Sequence, residues 1–190
     1  MVIHLREMQN QRVRIEALRL LEGDSAILDT ARAVSRVLRE RGVAGAVIGG
    51  VATYLHGYTR TTADVDVLLC GCDAEATEFR AALEAVGFVF DAEQCEFNRD
   101  GVPVHIVRLE QAGVMPREMI DLLDVRTVGL ADLLNMKLRT GARLVTRAQD
   151  LADVVGLIRA NRLDAGFARR ITPKLRPEFR KLLRAIERGE

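Results

Sequence analysis

The 190-residue chain is 48% hydrophobic and 29% charged, with a formal net charge of +1. That composition can build a proper core and excludes a disordered chain, and the balanced total charge makes no general case for nucleic-acid or membrane-surface binding. The length fits one domain, or one domain with a helical appendage.

Met1–Leu21 has helical spacing, with charge in every turn, so neither a signal peptide nor a transit peptide is expected there. His4 is expected at the surface, and Gly23 is a plausible stop. Asp24 or Ser25 can cap a second helix whose apolar face is Ile27, Ala31, Val34 and Leu38, ended by Gly42. Val43–Ile48 suits a short buried strand. Ala63–Leu69 predicts another, with Val65 and Val67 on one face and Asp64 and Asp66 on the other. Ala74–Val86 predicts a helix stopped by Gly87. Phe88–Asn98 and Val102–Leu109 then flank Asp100-Gly101, a dipeptide that tolerates a type I′ turn, so a hairpin is expected. From Val128 the pattern becomes helical, over Leu130–Thr140, Arg147–Ala160, Ala165–Ile171 and Glu178–Arg188.

The fold class expected is α/β (α+β in stricter schemes), a small mixed sheet flanked by helices. Residues 1–127 would form the core with its N-terminal helices, and residues 128–190 a helical region packed on it. Cys70, Cys72 and Cys95 make no paired framework or zinc spacing, which fits reduced thiols and a cytoplasmic location. No apolar run approaches the roughly 18–20 residues of a membrane span, so no membrane partner is expected.

The chemistry concentrates in Gly49–Leu69, GGVATYLHGYTRTTADVDVLL. Carboxylates at i and i+2 on a strand project from one face roughly 6–7 Å apart, where they repel unless a cation joins them. Asp64 and Asp66 therefore read either as a divalent-ion clamp or as a solvated strand end. Gly49-Gly50 follows a strand directly, and Ala52–His56 can form a short helix, so bare N–H groups at that turn suit a phosphate. Tyr54 and His56 are candidates for stacking on a base, while Leu55 is expected in the core.

This passage resembles the nucleotidyltransferase superfamily that includes DNA polymerase β, in the order Gly49, Gly50, Ala52, His56, Gly57, Arg60, Thr62, Asp64 and Asp66. The resemblance implies that the glycines hold a nucleoside triphosphate, that Asp64 and Asp66 bind two magnesium ions (manganese as a substitute), and that Arg60, Thr62 and His56 lie near the nucleotide. A second block, LADLLNMKLRTGARLVTRAQDLADVVGLI, is similar to the helical segment of abortive-infection toxin nucleotidyltransferases. Its correspondence falls on Lys137, Arg143 or Arg147, Asp150 and Asp153, with Gln149 where the family often has lysine. Lys137 could then reach phosphates along an apolar helix, and Asp150 and Asp153, sharing a helix face, could position it or an arginine. A toxin-type enzyme would also imply an antitoxin-like partner.

The superfamily usually places a third carboxylate on a later strand. Here the corresponding position in VPVHIVRLE is His105, and a two-residue turn at Asp100-Gly101 sets Glu96 opposite it. His105 could act as general base, Glu96 could supply the missing metal ligand, or the second metal site could be impaired. The function expected is transfer of a nucleoside monophosphate from a triphosphate to a hydroxyl of RNA, protein or a small molecule. The alternative is a degenerate module that binds nucleotide or a partner without turnover. Arginine and lysine outnumber acids from Arg159 onward, a surplus suited to tRNA or other RNA, or simply to the solvated face of an amphipathic helix.

Overall fold

A computed structural model describes residues 25–141 and 148–189. The expected N-terminal helix, with His4, Gly23 and Asp24, lies outside the described residues, as do Arg143 and Arg147.

Helix α1 (Ala26–Glu40) starts where Ser25 Oγ accepts from the Leu28 amide at 3.2 Å. It ends at Gly42, whose φ of +63° takes the left-handed turn that stops a helix. Strand β1 (Gly45–Ile48) runs directly into the short helix α2 (Gly49–Leu55). Strand β2 (Val65–Leu69) follows, then α3 (Asp73–Ala85).

The segment expected as one strand over Phe88–Asn98 is two, β3 (Val89–Asp91) and β4 (Glu96–Arg99). Asp91 Oδ1 accepts from the amides of Glu93 and Gln94, folding the chain into a turn that ends on Cys95 with a φ of +55°. Strand β5 (Val102–Arg108) is paired with β4 across Asp100-Gly101, both residues having positive φ as a type I′ turn requires. A single turn, α4 (Leu109–Ala112), then leads to a hairpin not expected from sequence, β6 (Met119–Leu122) and β7 (Val125–Val128). Its turn residues are Leu123 and Asp124, which take φ values of +50° and +64° without a glycine.

Helices α5 (Leu130–Gly141) and α6 (Ala148–Ala160) follow. The helix expected at Ala165–Ile171 is a 3₁₀ segment, Ala165–Arg170, capped by Asp164. A second such turn, Pro173–Leu175, precedes α7 (Arg176–Arg188).

The seven strands form one mixed sheet in the order β3-β4-β5-β2-β1-β7-β6. Its centre pairs β1 with β2 antiparallel, β2 with β5 parallel and β1 with β7 parallel. Helices cover both faces. On one, Leu28, Val34 and Leu38 of α1 and Phe79 and Leu83 of α3 pack on Val65, Val67 and Phe97. On the other, Leu134 and Leu138 of α5, Val154 and Leu157 of α6 and Phe179 of α7 pack on Ala46, Ile48 and Leu68. Burial of each such Leu or Phe stabilises the fold by about 1.5–3 kcal/mol. Asp66 shares a strand face with Leu68, so this acid of β2 opens toward the α5–α6 side.

Buried polar groups tie the layers together. Ser35 Oγ accepts from the Arg126 amide at 2.9 Å, and Thr127 Oγ1 donates to the Val47 carbonyl at 2.7 Å. Asp132, on α5, accepts from the amides of Arg117 and Glu118. None of the helices among the described residues is long and apolar enough to cross a membrane.

Candidate active site

A cavity of about 860 Å³ opens beside the C-terminal end of β1 and the N-terminal end of β2, and α5 and α6 wall its other side. Residues from both sequence blocks line it, Gly49, Gly50, Arg60, Thr62, Asp64 and Asp66 from the first and Lys137, Gln149 and Asp150 from the second, together with His105 of β5. Sheet register brings the first set together. Asp66 is paired with Ile48 on β1 and with His105 on β5.

His105 Nδ1 stands 3.5 Å from Asp64 Oδ2 and 3.5 Å from Asp66 Oδ1. These three side chains converge as a potential metal-ligand group, with their donor atoms within 4.8 Å of one another. The other side of the imidazole is occupied, because Nε2 lies 2.8 Å from Glu96 Oε2. Glu96 faces His105, as the turn length implied. It lies behind the ring, however, and is not one of the three convergent donors. Strand order is the reason: β5 separates β4 from β2, so the imidazole stands between Glu96 and the aspartates.

Asp64 is braced by the Thr62 hydroxyl, which donates to Oδ1 at 3.0 Å and leaves Oδ2 toward His105. Burial, and then the charge of Asp64, raises the Asp66 pKa above the ordinary carboxylate value, against a smaller pull from His105 and Lys137. For His105, burial lowers the pKa, but the Glu96 hydrogen bond and the charges of Asp66, Asp64 and Glu96 outweigh it and raise the net value.

The glycines leave room for these groups. Gly49 has a φ of +66°, and a Cβ there would lie 2.0 Å from Asp66 Oδ2. A Cβ on Gly50 would lie 2.2 Å from Thr62 Oγ1 and 3.0 Å from Arg60 Nη2. The double glycine thus allows Asp66, Thr62 and Arg60 to press against the start of α2.

The helical block contributes a buried charge cluster. Lys137 is 5% exposed, and its Nζ lies 2.5 Å from Asp153 Oδ2 and 3.2 Å from Asp150 Oδ1. Asp153 has no exposure and also receives Arg60 Nε at 2.9 Å and Gln149 Nε2 at 3.0 Å. One carboxylate therefore holds Lys137 and Arg60 in fixed positions, while Arg60 Nη1 donates to the Thr61 carbonyl at 2.8 Å. Thr140, not singled out in the sequence, lines the cavity and donates to Asp150 Oδ2 at 2.5 Å. Its place three residues after Lys137 on the same helix was the available signal.

His56 is placed elsewhere. Its Nε2–H donates to the Val128 carbonyl at 2.8 Å, beyond the lining of the cavity, and burial lowers its pKa despite that bond. Tyr54 and Leu55 pack against the core on the α1 side.

No protein-family model matches the chain, and no curated protein sequence matches it. Solved structures do. The complex of ANT(2″)-Ia with adenylyl-2″-tobramycin superposes with a TM-score of 0.53 at 14% identity, covering 78% of this chain and 93% of that one. The solution structure of the same antibiotic-resistance factor gives 0.50 at 15% identity, over 82% and 92%. An antigenic nucleotidyltransferase-like protein from Paracoccidioides brasiliensis gives 0.50 at 16%, over 68% and 74%. This chain has the nucleotidyltransferase fold. At these identities the likeness is one of fold, and the chemistry must be argued from the residues present.

Proposed function

We propose that the chain transfers a nucleoside monophosphate from a nucleoside triphosphate to a hydroxyl acceptor. The observation that carries this is the convergence of Asp64, Asp66 and His105 on a cavity shared with Gly49, Gly50, Arg60 and Lys137, within a nucleotidyltransferase fold.

The residues fit a divalent ion. Donors held about 2.1 Å from one ion stand roughly 3.0–3.4 Å apart at octahedral to tetrahedral angles. The two carboxylate oxygens lie 3.5 Å from His105 Nδ1, close to that spacing. Asp64, Asp66 and His105 would hold the ion, whose charge would stabilise the transferring phosphoryl group and the departing pyrophosphate. Gly49 and Gly50 line the same cavity, where the phosphates would lie, and Arg60 and Lys137 add positive charge that Asp153 fixes in direction. In the reaction the acceptor oxygen bonds to the α-phosphorus while the bond to the bridging oxygen breaks, pyrophosphate leaves with that electron pair, and the acceptor's proton passes to solvent. The acceptor classes open to this reaction are hydroxyls of RNA, protein or small molecules.

The test combines thermal shift with the four ribonucleoside triphosphates, with and without a divalent ion, and pyrophosphate release in the presence of acceptor pools. Ion-dependent stabilisation and release, both lost in Asp64→Asn, are expected. A chain that shows neither with any triphosphate refutes the proposal.

A further inference from the structure

The imidazole at the third ligand position changes which ion this centre should prefer. His105 Nδ1 is 3.5 Å from each aspartate oxygen, long for a hydrogen bond and short enough for a shared cation. Its other nitrogen is 2.8 Å from Glu96 Oε2. An ionised carboxylate only accepts, so this contact keeps a proton on Nε2, and it is Nδ1 that faces Asp64 and Asp66 and is left to give its lone pair to an ion. Two carboxylates facing that lone pair repel it unless a proton or a metal ion lies between them, and a divalent ion can satisfy all three groups at once. A carboxylate behind a histidine is also how proteins fix the tautomer and raise the basicity of an imidazole ligand.

We propose that Asp64, Asp66 and His105 form a three-donor site that takes a first-row transition ion in preference to magnesium, with Glu96 holding the ring in its ligating tautomer. Magnesium is a hard ion that favours an all-oxygen set, whereas a neutral imidazole nitrogen adds affinity for manganese, cobalt or zinc. Ligation also consumes the nitrogen that would otherwise take the acceptor's proton, so His105 is a ligand here and not a general base. The inference rests on the same site as the proposed transfer reaction, but its test requires no turnover.

The chelator-treated full chain is titrated by calorimetry with manganese, cobalt and magnesium salts. The manganese form of chain labelled with nitrogen-15 histidine is then examined by electron–nuclear double resonance. Expected are a nitrogen coupling in the unaltered chain and a cobalt-to-magnesium affinity ratio that falls at least tenfold in His105→Asp. Glu96→Gln should weaken cobalt binding by roughly tenfold, as loss of an outer-shell carboxylate does elsewhere. A metal-bound form without nitrogen coupling overturns the inference, as does an affinity ratio unmoved in His105→Asp. The spectroscopic readout uses the unaltered chain, so it decides even where a variant does not fold. Transfer supported by magnesium with no metal on His105 would sink the ion preference and leave the proposed function standing. Nitrogen-coupled manganese with no triphosphate binding would do the reverse.

Discussion

Alanine at Gly42, Gly49 and Gly50 should produce three different losses, because the three glycines are required for different reasons. At Gly42 the φ is +63° and nothing lies within 4 Å of a Cβ, so Gly42→Ala incurs only left-handed strain of about 1–2 kcal/mol. At Gly50 the φ is ordinary, but a Cβ would meet Thr62 Oγ1 at 2.2 Å and Thr62 Cβ at 2.6 Å, an overpacking cost of about 1–3 kcal/mol. Gly49 combines both effects, with a φ of +66° and Asp66 Oδ2 2.0 Å away, so the expected loss is roughly 2–5 kcal/mol. Reduced entropy of the unfolded chain returns about 0.4–1 kcal/mol in each case. At roughly 2–4 °C per kcal/mol for a chain this long, Gly49→Ala should lower Tm by about 2–18 °C and Gly42→Ala by about 6 °C at most. Differential scanning calorimetry and denaturant unfolding measure the stability, and calorimetric titration measures ion binding. Gly42→Ala should bind ion as the unaltered chain does. Gly49→Ala should bind it more weakly, because Asp66 must move by about an ångström or more to clear a normal contact. If Gly49→Ala is no more destabilising than Gly42→Ala and binds ion normally, the claim that this glycine exists to admit Asp66 is wrong.

Lys137→Met should cost about 2–4 kcal/mol in denaturant unfolding, since it leaves Asp153 without one cation while Arg60 and Gln149 remain. A loss under about 1 kcal/mol would show that the buried pair contributes little. His56 has a depressed pKa, so it favours the folded state above its ordinary value of 6.5, and that contribution is lost as pH falls through the lowered folded value. His105, shifted upward, acts in the opposite sense, so the measurement is the Tm difference between the unaltered chain and His56→Gln from pH 7.5 to 5. That difference should change steadily with acidification to the disadvantage of the unaltered chain, and a flat difference would contradict the assignment.

Elements with strong local signals were legible in the sequence. The α1 helix, the buried strands β1 and β2, and the type I′ turn at Asp100-Gly101 follow from periodicity, capping and turn chemistry. The β6–β7 hairpin was not legible, because its turn is Leu123-Asp124, a pair with none of the glycine or asparagine that signals positive φ. Its backbone is held from outside: Arg32 Nε donates to the Leu123 carbonyl and Arg39 Nη2 to that of Asp124, while Arg39 Nη1 reaches Asp121 at 2.8 Å. Tertiary contacts thus stabilise a turn that its own residues do not favour. The split of Phe88–Asn98 escaped for a different reason: its turn is local, with Asp91 accepting the amides two and three residues on, inside a stretch whose strand propensity hides it.

The candidate site was legible residue by residue but not in its layering. Strand alternation put Asp64 and Asp66 on one face, and turn length put Glu96 opposite His105. Neither says which side of His105 the aspartates occupy. That depends on β5 pairing in parallel with β2 after passing β4, a long-range choice that local pattern does not encode. Once made, it decides the chemistry. With Glu96 and the aspartates on the same side of the ring, Glu96 could have stood in for a missing acid. With the ring between them, Glu96 would act on a bound ion only through the imidazole, and in the proposed centre the histidine would be the third donor.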